Sequence, residues 1–156
     1  MSDFDKFKEY IFEEDDKSAS KAKHSFYALT QEEIVEAQER MKLRFPLELE
    51  SFYKQVGYGF MWNEDDNMFD RVMDPQSVAD FYLCEGMYQT NDYEEHYERN
   101  FLVFFEVNES SYIALDLSAK NELGKCPVYY LDSKIANSLE EFLSKMDEKL
   151  DYYLEY

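Results

Sequence analysis

Apolar residues recur along this chain in short, well-punctuated runs. Phe4, Phe7 and Ile11 fall at helical spacing behind Ser2 and Asp5, which predicts a short amphipathic helix over 2–16. Residues 17–25, KSASKAKHS, are small, polar and locally basic, and read as a linker. The next segment has the clearest local grammar. Thr30 and Glu33 form a capping-box pattern, with Leu29 and Ile34 placed as a hydrophobic staple. Ile34, Ala37 and Met41 continue one apolar stripe. Pro46 restarts the chain as a first-turn residue, and Leu49, Phe52, Tyr53 and Val56 make a second stripe that ends at Gly57. Two short helices set at an angle follow.

Beyond Gly59 the period changes. Residues 60–62 and 68–73 read as strands around the acidic turn 63–67, and Asp74-Pro75 opens a helix with Val78, Ala79 and Tyr82 on its apolar side. Residues 84–100 read as a long acidic loop or irregular helix. Phe101–Val107, Tyr112–Leu117 and Val128–Leu131 are β-prone, and Ser138 with Glu141 opens a last helix carrying Leu139, Phe142, Met146, Leu150 and Tyr153. Helices, then consecutive strands, then a helix predict an α+β fold: a central, mostly antiparallel sheet flanked by several short helices. The expected organisation is an N-terminal helix (1–16), a linker-like segment (17–25) and an α+β domain (26–156), forming one globular unit.

Composition sharpens this. A length of 156 residues suits one domain. With 13 Phe, 14 Tyr and one Trp, the chain is too aromatic for disorder. The formal net charge of −19 repels phosphate backbones and anionic lipid, which argues against nucleic acid or a membrane as partner. A basic protein is the natural partner of such a field. No targeting segment or membrane-spanning run is visible, and Cys84 and Cys126 lack metal or disulfide spacing, so a cytoplasmic protein with reduced thiols is expected. A homodimer is compatible with an aromatic-rich surface, although no residue singles one out.

The inventory for chemistry is thin. His24 lies in the linker. His96 among Glu95 and Glu98 could ligate a metal, but one histidine without a second reads better as a solvated loop. Ser18-Ala-Ser-Lys21 satisfies S-x-x-K without its companion motifs, and Asp65-x-Asn67 starts like a calcium loop but lacks the required glycine. With 35 acidic residues, adjacent carboxylates carry no information about acid–base catalysis. No phosphate-binding loop is present. The reading is a protein without enzymatic activity, cofactor or metal.

The charge is patterned instead. Residues 64–98 hold eleven acidic residues against Arg71 alone, interleaved with aromatic rings. Such a surface steers a basic partner electrostatically and anchors it with rings. The candidate contacts are Trp62, Glu64, Asp65, Asp66, Asp70, Asp92, Tyr93, Glu94, Glu95 and Tyr97. The alternative is a solubilising face whose aromatics point inward.

Residues 29–59, LTQEEIVEAQERMKLRFPLELESFYKQVGYG, resemble the SUKH superfamily, the Smi/Knr-like bacterial immunity proteins. The shared features are a capped helix, Phe-Pro, and a second helix ending in aromatics before Gly-x-Gly. Arg71-Val-Met-Asp-Pro75, Ala79-Asp-Phe-Tyr82, Tyr112-Ile-Ala-Leu-Asp116 and Ser138-Leu-Glu-Glu-Phe-Leu143 extend the match to about residues 25–146. The resemblance implies an α+β domain that binds and neutralises a cognate secreted toxin, often a nuclease, encoded next door. It hands over no site residues. A second reading keeps the fold but makes the chain an intracellular adaptor or regulator with no toxin partner.

Overall fold

The computed structural model describes residues 4–11, 24–61, 70–88, 97–98, 100–107, 111–149 and 152–155. Seven strands form one sheet in chain order, every neighbour antiparallel: β1 (Ser25–Tyr27), β2 (Tyr58–Phe60), β3 (Arg71–Val72), β4 (Phe101–Val107), β5 (Ser111–Asp116), β6 (Val128–Tyr130) and β7 (Ser133–Ala136). Helices α1 (Gln31–Met41) and α2 (Leu47–Gln55) connect β1 to β2. Helix α3 (Pro75–Leu83) follows β3, and α4 (Leu139–Glu148) follows β7. This is the expected α+β arrangement. Among the described residues, no helix is long and apolar enough to cross a membrane.

Cross-strand partners share a face, so register sorts the side chains. Val72, Phe105, Ile113 and Tyr130 are paired along one face; Arg71, Glu106 and Tyr112 are paired along the other. The first face carries the main core. Phe26 meets Phe52 of α2 at 5.7 Å and Phe7 at 6.2 Å, while Phe4 meets Phe52 at 5.2 Å. A bulge interrupts β4, whose pairing steps from Val103 to Phe105 and leaves Phe104 extra. A bulge re-aims side chains locally. Both Phe104 and Phe105 therefore reach Phe142 of α4, with ring centroids 5.6 and 5.2 Å away.

The helix ends are built by the predicted residues. The hydroxyl of Thr30 accepts the Glu33 N–H at 3.2 Å, and the Glu33 carboxylate accepts the Thr30 N–H at 2.9 Å. Ile34, Ala37 and Met41 are buried beneath. Asp74 caps α3 through the Ser77 N–H. Gly57, just past α2, is required by close approach: at φ +122°, a Cβ there would stand 1.9 Å from the Tyr27 carbonyl oxygen. At α4 the Ser138 hydroxyl accepts the Glu141 N–H, and the Glu141 carboxylate accepts the Asn137 N–H. A carboxylate from another helix joins in. Buried Glu48 of α2 accepts the Leu139 N–H at 2.9 Å and the Glu140 N–H at 3.3 Å. It places an anion where four N–H groups lack helical partners.

Several expectations are corrected. The N-terminal segment is a 3-10 helix over Asp5–Tyr10, not an α-helix, and Ile11 then bridges Phe26 in parallel; Ser2 and residues 12–16 lie outside the described residues. Of the supposed linker, residues 17–23 also lie outside. His24 is fully buried, with Nε2 2.7 Å from Asp147 Oδ1 and Tyr10 against its ring, and Ser25 opens β1. Polar composition hid the start of a strand whose partner residues lie 31 to 35 positions later. Pro46 is the cap before α2, not its first turn. Phe81, not Tyr82, is the deeply buried ring of α3, and β7 had no strand expectation.

The caps support two predictions. Thr30→Ala loses the hydroxyl acceptor and should lower stability by about 0.5–2 kcal/mol, read as a drop in melting temperature. Glu48 gives a pH signature. Burial raises its pKa above the ordinary carboxylate value, against the opposing pull of the two N–H groups. A raised folded-state pKa favours the folded state below the unfolded carboxylate pKa, and that contribution fades as pH rises through the folded value. The stability of the wild type relative to Glu48→Gln should therefore improve on acidification through this window. A constant difference from neutral to acid in paired urea titrations would contradict it.

Candidate functional site

The meander segregates its connections. The links β2–β3, β4–β5 and β6–β7 leave one end of the sheet, whereas the helical links β1–β2 and β3–β4 leave the other. The first half of the acid-rich stretch is the β2–β3 link at the first end, and its second half belongs to the β3–β4 link, from which Tyr88 reaches back to Glu106. Backbone pairing continues past β2, where the Met61 N–H donates to the Asp70 carbonyl at 3.0 Å. Arg71 then lies beside Glu106 on the adjoining strand, with Nε 3.3 Å from Oε1. Tyr88, from a 3-10 turn over Gly86–Tyr88, completes a polar knot. Its hydroxyl donates to Glu106 Oε2 at 3.1 Å and receives Arg71 Nη2 at 3.4 Å, while Asp74 approaches Nη1 at 3.5 Å.

Electrostatics follow from this enclosure. Burial, and then the Glu106 charge, push the Tyr88 phenol well above its ordinary pKa. Burial alone would lower Arg71, but Glu106 and Tyr88 outweigh it and hold the guanidinium raised. The groups of the knot are tied to one another, an arrangement that fixes a surface. The same face carries half-buried rings: Tyr27 and Tyr58 lie 5.6 Å apart, and Phe101 and Tyr129 5.3 Å apart. Aromatic rings around an ion pair make a surface able to bind protein.

Of the residues expected to meet a partner, Trp62, Glu64, Asp65, Asp66, Asp92, Tyr93, Glu94 and Glu95 lie outside the described residues. Asp70 and Tyr97 are described, and both are buried, at 8% and 6% exposure. That corrects their expected place on an open surface. Tyr97 works inside the fold, where its hydroxyl donates to the Tyr112 carbonyl at 2.7 Å and accepts the Leu131 N–H at 3.0 Å. It thereby ties the acid-rich stretch to β5 and to the turn after β6. The Arg71–Glu106–Tyr88 knot was not anticipated. Its members stand up to 35 residues apart; strand register pairs Arg71 with Glu106, and the 3-10 turn after α3 delivers Tyr88 to them.

Tyr97 yields a prediction of its own. Burial pushes its phenol up to about 12, and that of Tyr53 is raised as well. Raised values favour the folded state below the ordinary phenol pKa, and the gain is lost as pH climbs through the folded value. Stability should fall above about pH 10 as unfolded tyrosines ionise. Tyr97→Phe should lower stability by about 1–3 kcal/mol at neutral pH, through the loss of its buried hydrogen bonds to the Tyr112 carbonyl and the Leu131 N–H, and should lose less on alkalisation than the wild type. Denaturant melts from pH 7 to 11 check both.

The comparisons with known proteins agree with this architecture. Residues 28–145, from the end of β1 into α4, match the family model described as SMI1 / KNR4 family (SUKH-1). Over 144 residues the chain is 39% identical to "Immunity protein YxxD" of Bacillus subtilis (strain 168), an alignment covering 87% of this chain and 92% of that protein. The matched span takes in the capped α1, the Phe-Pro restart before α2 and the whole of β2 to β7. The chain belongs to the SMI1/KNR4 (SUKH-1) family.

Proposed function

We propose that this protein is a non-enzymatic immunity protein that binds and neutralises a cognate secreted toxin in the cytoplasm. The observation that carries the reading is the 39% identity, along nearly the full chain, to a protein named as an immunity protein. The toxin is a basic nuclease domain encoded beside this gene, and the contact surface is the acid-rich aromatic end of the sheet. Charge supports that assignment: a nuclease cleft that holds phosphates is cationic, and a −19 chain complements it. In this reading Trp62, Glu64, Asp65, Asp66, Asp92, Tyr93, Glu94 and Glu95 face the toxin. The Arg71–Glu106–Tyr88 knot and Tyr97 hold the ends of their segments.

Steering charges and desolvated anchors separate kinetically. Summed charge acts over about a Debye length and sets encounter rate, whereas anchors set residence time. Reversing Glu64, Asp65 and Asp66 together to Lys should slow association with the neighbouring toxin domain and flatten its salt dependence. Tyr93→Ala or Trp62→Ala should speed dissociation. Surface plasmon resonance at two ionic strengths reads both effects. Co-expression of the two genes should restore growth to cells poisoned by the toxin. Absence of micromolar binding to that toxin would defeat the immunity reading, and an unchanged association rate in the triple reversal would move the interface elsewhere.

A further inference from the structure

The other end of the sheet carries a surface of opposite character. A cavity of about 350 Å³ is walled by Leu43, Phe45 and Leu47, around the α1–α2 connection, and by Leu117 and Cys126, from the connection after β5. Its lip is apolar and open to solvent at Leu47, 59% exposed; Leu123, on the same connection as Leu117 but outside the cavity wall, is 74% exposed. The lip is also preorganised. Asn121 Oδ1 accepts the N–H groups of Leu123 and Lys125 at 2.9 and 3.0 Å, and its backbone pairs with Lys125 and Gly124. Gly124 lies so close to Leu47 that a Cβ would stand 2.6 Å from Leu47 Cδ1. A rigid apolar lip binds without first being ordered.

Cations complete the wall. Arg44, with a 78% exposed side chain, and exposed Lys120 both line the cavity. Among the described residues, the ion pair of Arg44 is a 3.8 Å approach to Glu50, which holds Lys54 closer at 3.1 Å, and Lys120 has none. A second cavity of about 420 Å³ on the same connection is lined by Lys125, which pairs with Glu140 at 3.6 Å, and by Lys134; the turn's own exposed carboxylate is Glu122. In a chain of net charge −19, cations beside bare leucines, Lys120 with no ion pair among the described residues and Arg44 with one long one, call for a partner with the reverse pattern.

We infer that this cleft is a docking site for an acidic segment of a protein partner, in which one apolar side chain is flanked by carboxylates. The apolar side chain enters between Leu47 and Leu117, and the carboxylates face Arg44 and Lys120. The chain's overall charge repels such a segment at a distance, so recognition acts within about 8 Å, one Debye length at physiological ionic strength. The site is separate from the β2–β3 end of the sheet and independent of whether that end binds a toxin.

The probe is the N-acetylated, C-amidated peptide Glu-Asp-Glu-Phe-Glu-Asp-Glu, titrated to millimolar concentration into the isotope-labelled full chain. Amide resonances of residues 43–47 and 117–126 should shift. The double variant Arg44→Glu, Lys120→Glu, whose side chains are exposed, should weaken binding by about tenfold or more, and so should Leu47→Ser or a peptide with Ser in place of Phe. Unchanged amide dispersion keeps each variant interpretable as folded. Three results would overturn the proposal: no shifts in these segments, shifts insensitive to the charge reversal, or octanoate matching the peptide in affinity and in dependence on Arg44 and Lys120, which would make the cleft a small-carboxylate pocket.

Discussion

The packing of Phe142 against two consecutive strand residues is the contact on which the rest of the molecule depends. Side chains on a regular strand alternate faces, so Phe104 and Phe105 could not both point to α4 without the extra residue in β4. The bulge turns a hydrophobic run of Phe-Leu-Val-Phe-Phe into an aromatic seat at the middle of the sheet. Each such ring pair adds about 0.5–1.5 kcal/mol beyond the apolar area it buries. Because α4 is the last long helix, its seat also decides where Glu48 can cap it and where His24 meets Asp147. An N-terminal residue, a residue of α2 and the C-terminal helix are thus held through one bulge.

The aromatic content divides into two kinds of work. Phenylalanines such as Phe26, Phe52, Phe81 and Phe142 are buried and make edge-to-face and tilted contacts. Several tyrosines use the hydroxyl to satisfy main-chain carbonyls in the interior: Tyr53 donates to Met73 at 2.6 Å, Tyr97 to Tyr112 at 2.7 Å and Tyr152 to Ile135 at 2.8 Å. Each such bond gives an interior carbonyl a side-chain donor from outside its own strand. A high tyrosine count is therefore tied to the architecture, quite apart from any partner.

Meander topology also separates chemistry. Connections alternate between the two ends of the sheet, so the β2–β3 link, which leaves β2 past Met61 and returns at Asp70, lies at the end opposite the α1–α2 and β5–β6 connections that carry Arg44, Lys120 and exposed leucines. The described core between the two ends is dominated by apolar side chains.

Local signals decided what the sequence by itself could determine. The capping residues Thr30 and Ser138, the Asp74-Pro75 start, the stripes of α1 and α2 and the β-prone runs at 101–107 and 112–116 act within a few residues of each other, so their outcome is legible from order alone. The acidic field and the family grammar at residues 29–59 were equally visible. Tertiary structure decided the rest. Strand β1 forms because Tyr58–Phe60 pairs with it, His24 is buried because Phe7, Tyr10 and Phe26 surround it, and Tyr97 turns inward because the carbonyls of Tyr112 and Tyr129 lie within reach of its hydroxyl. Glu48 and Arg71 find their partners across 91 and 35 residues. Contacts at such separations depend on register and on the bulge in β4, and the polarity of a residue in its own segment carries no record of them.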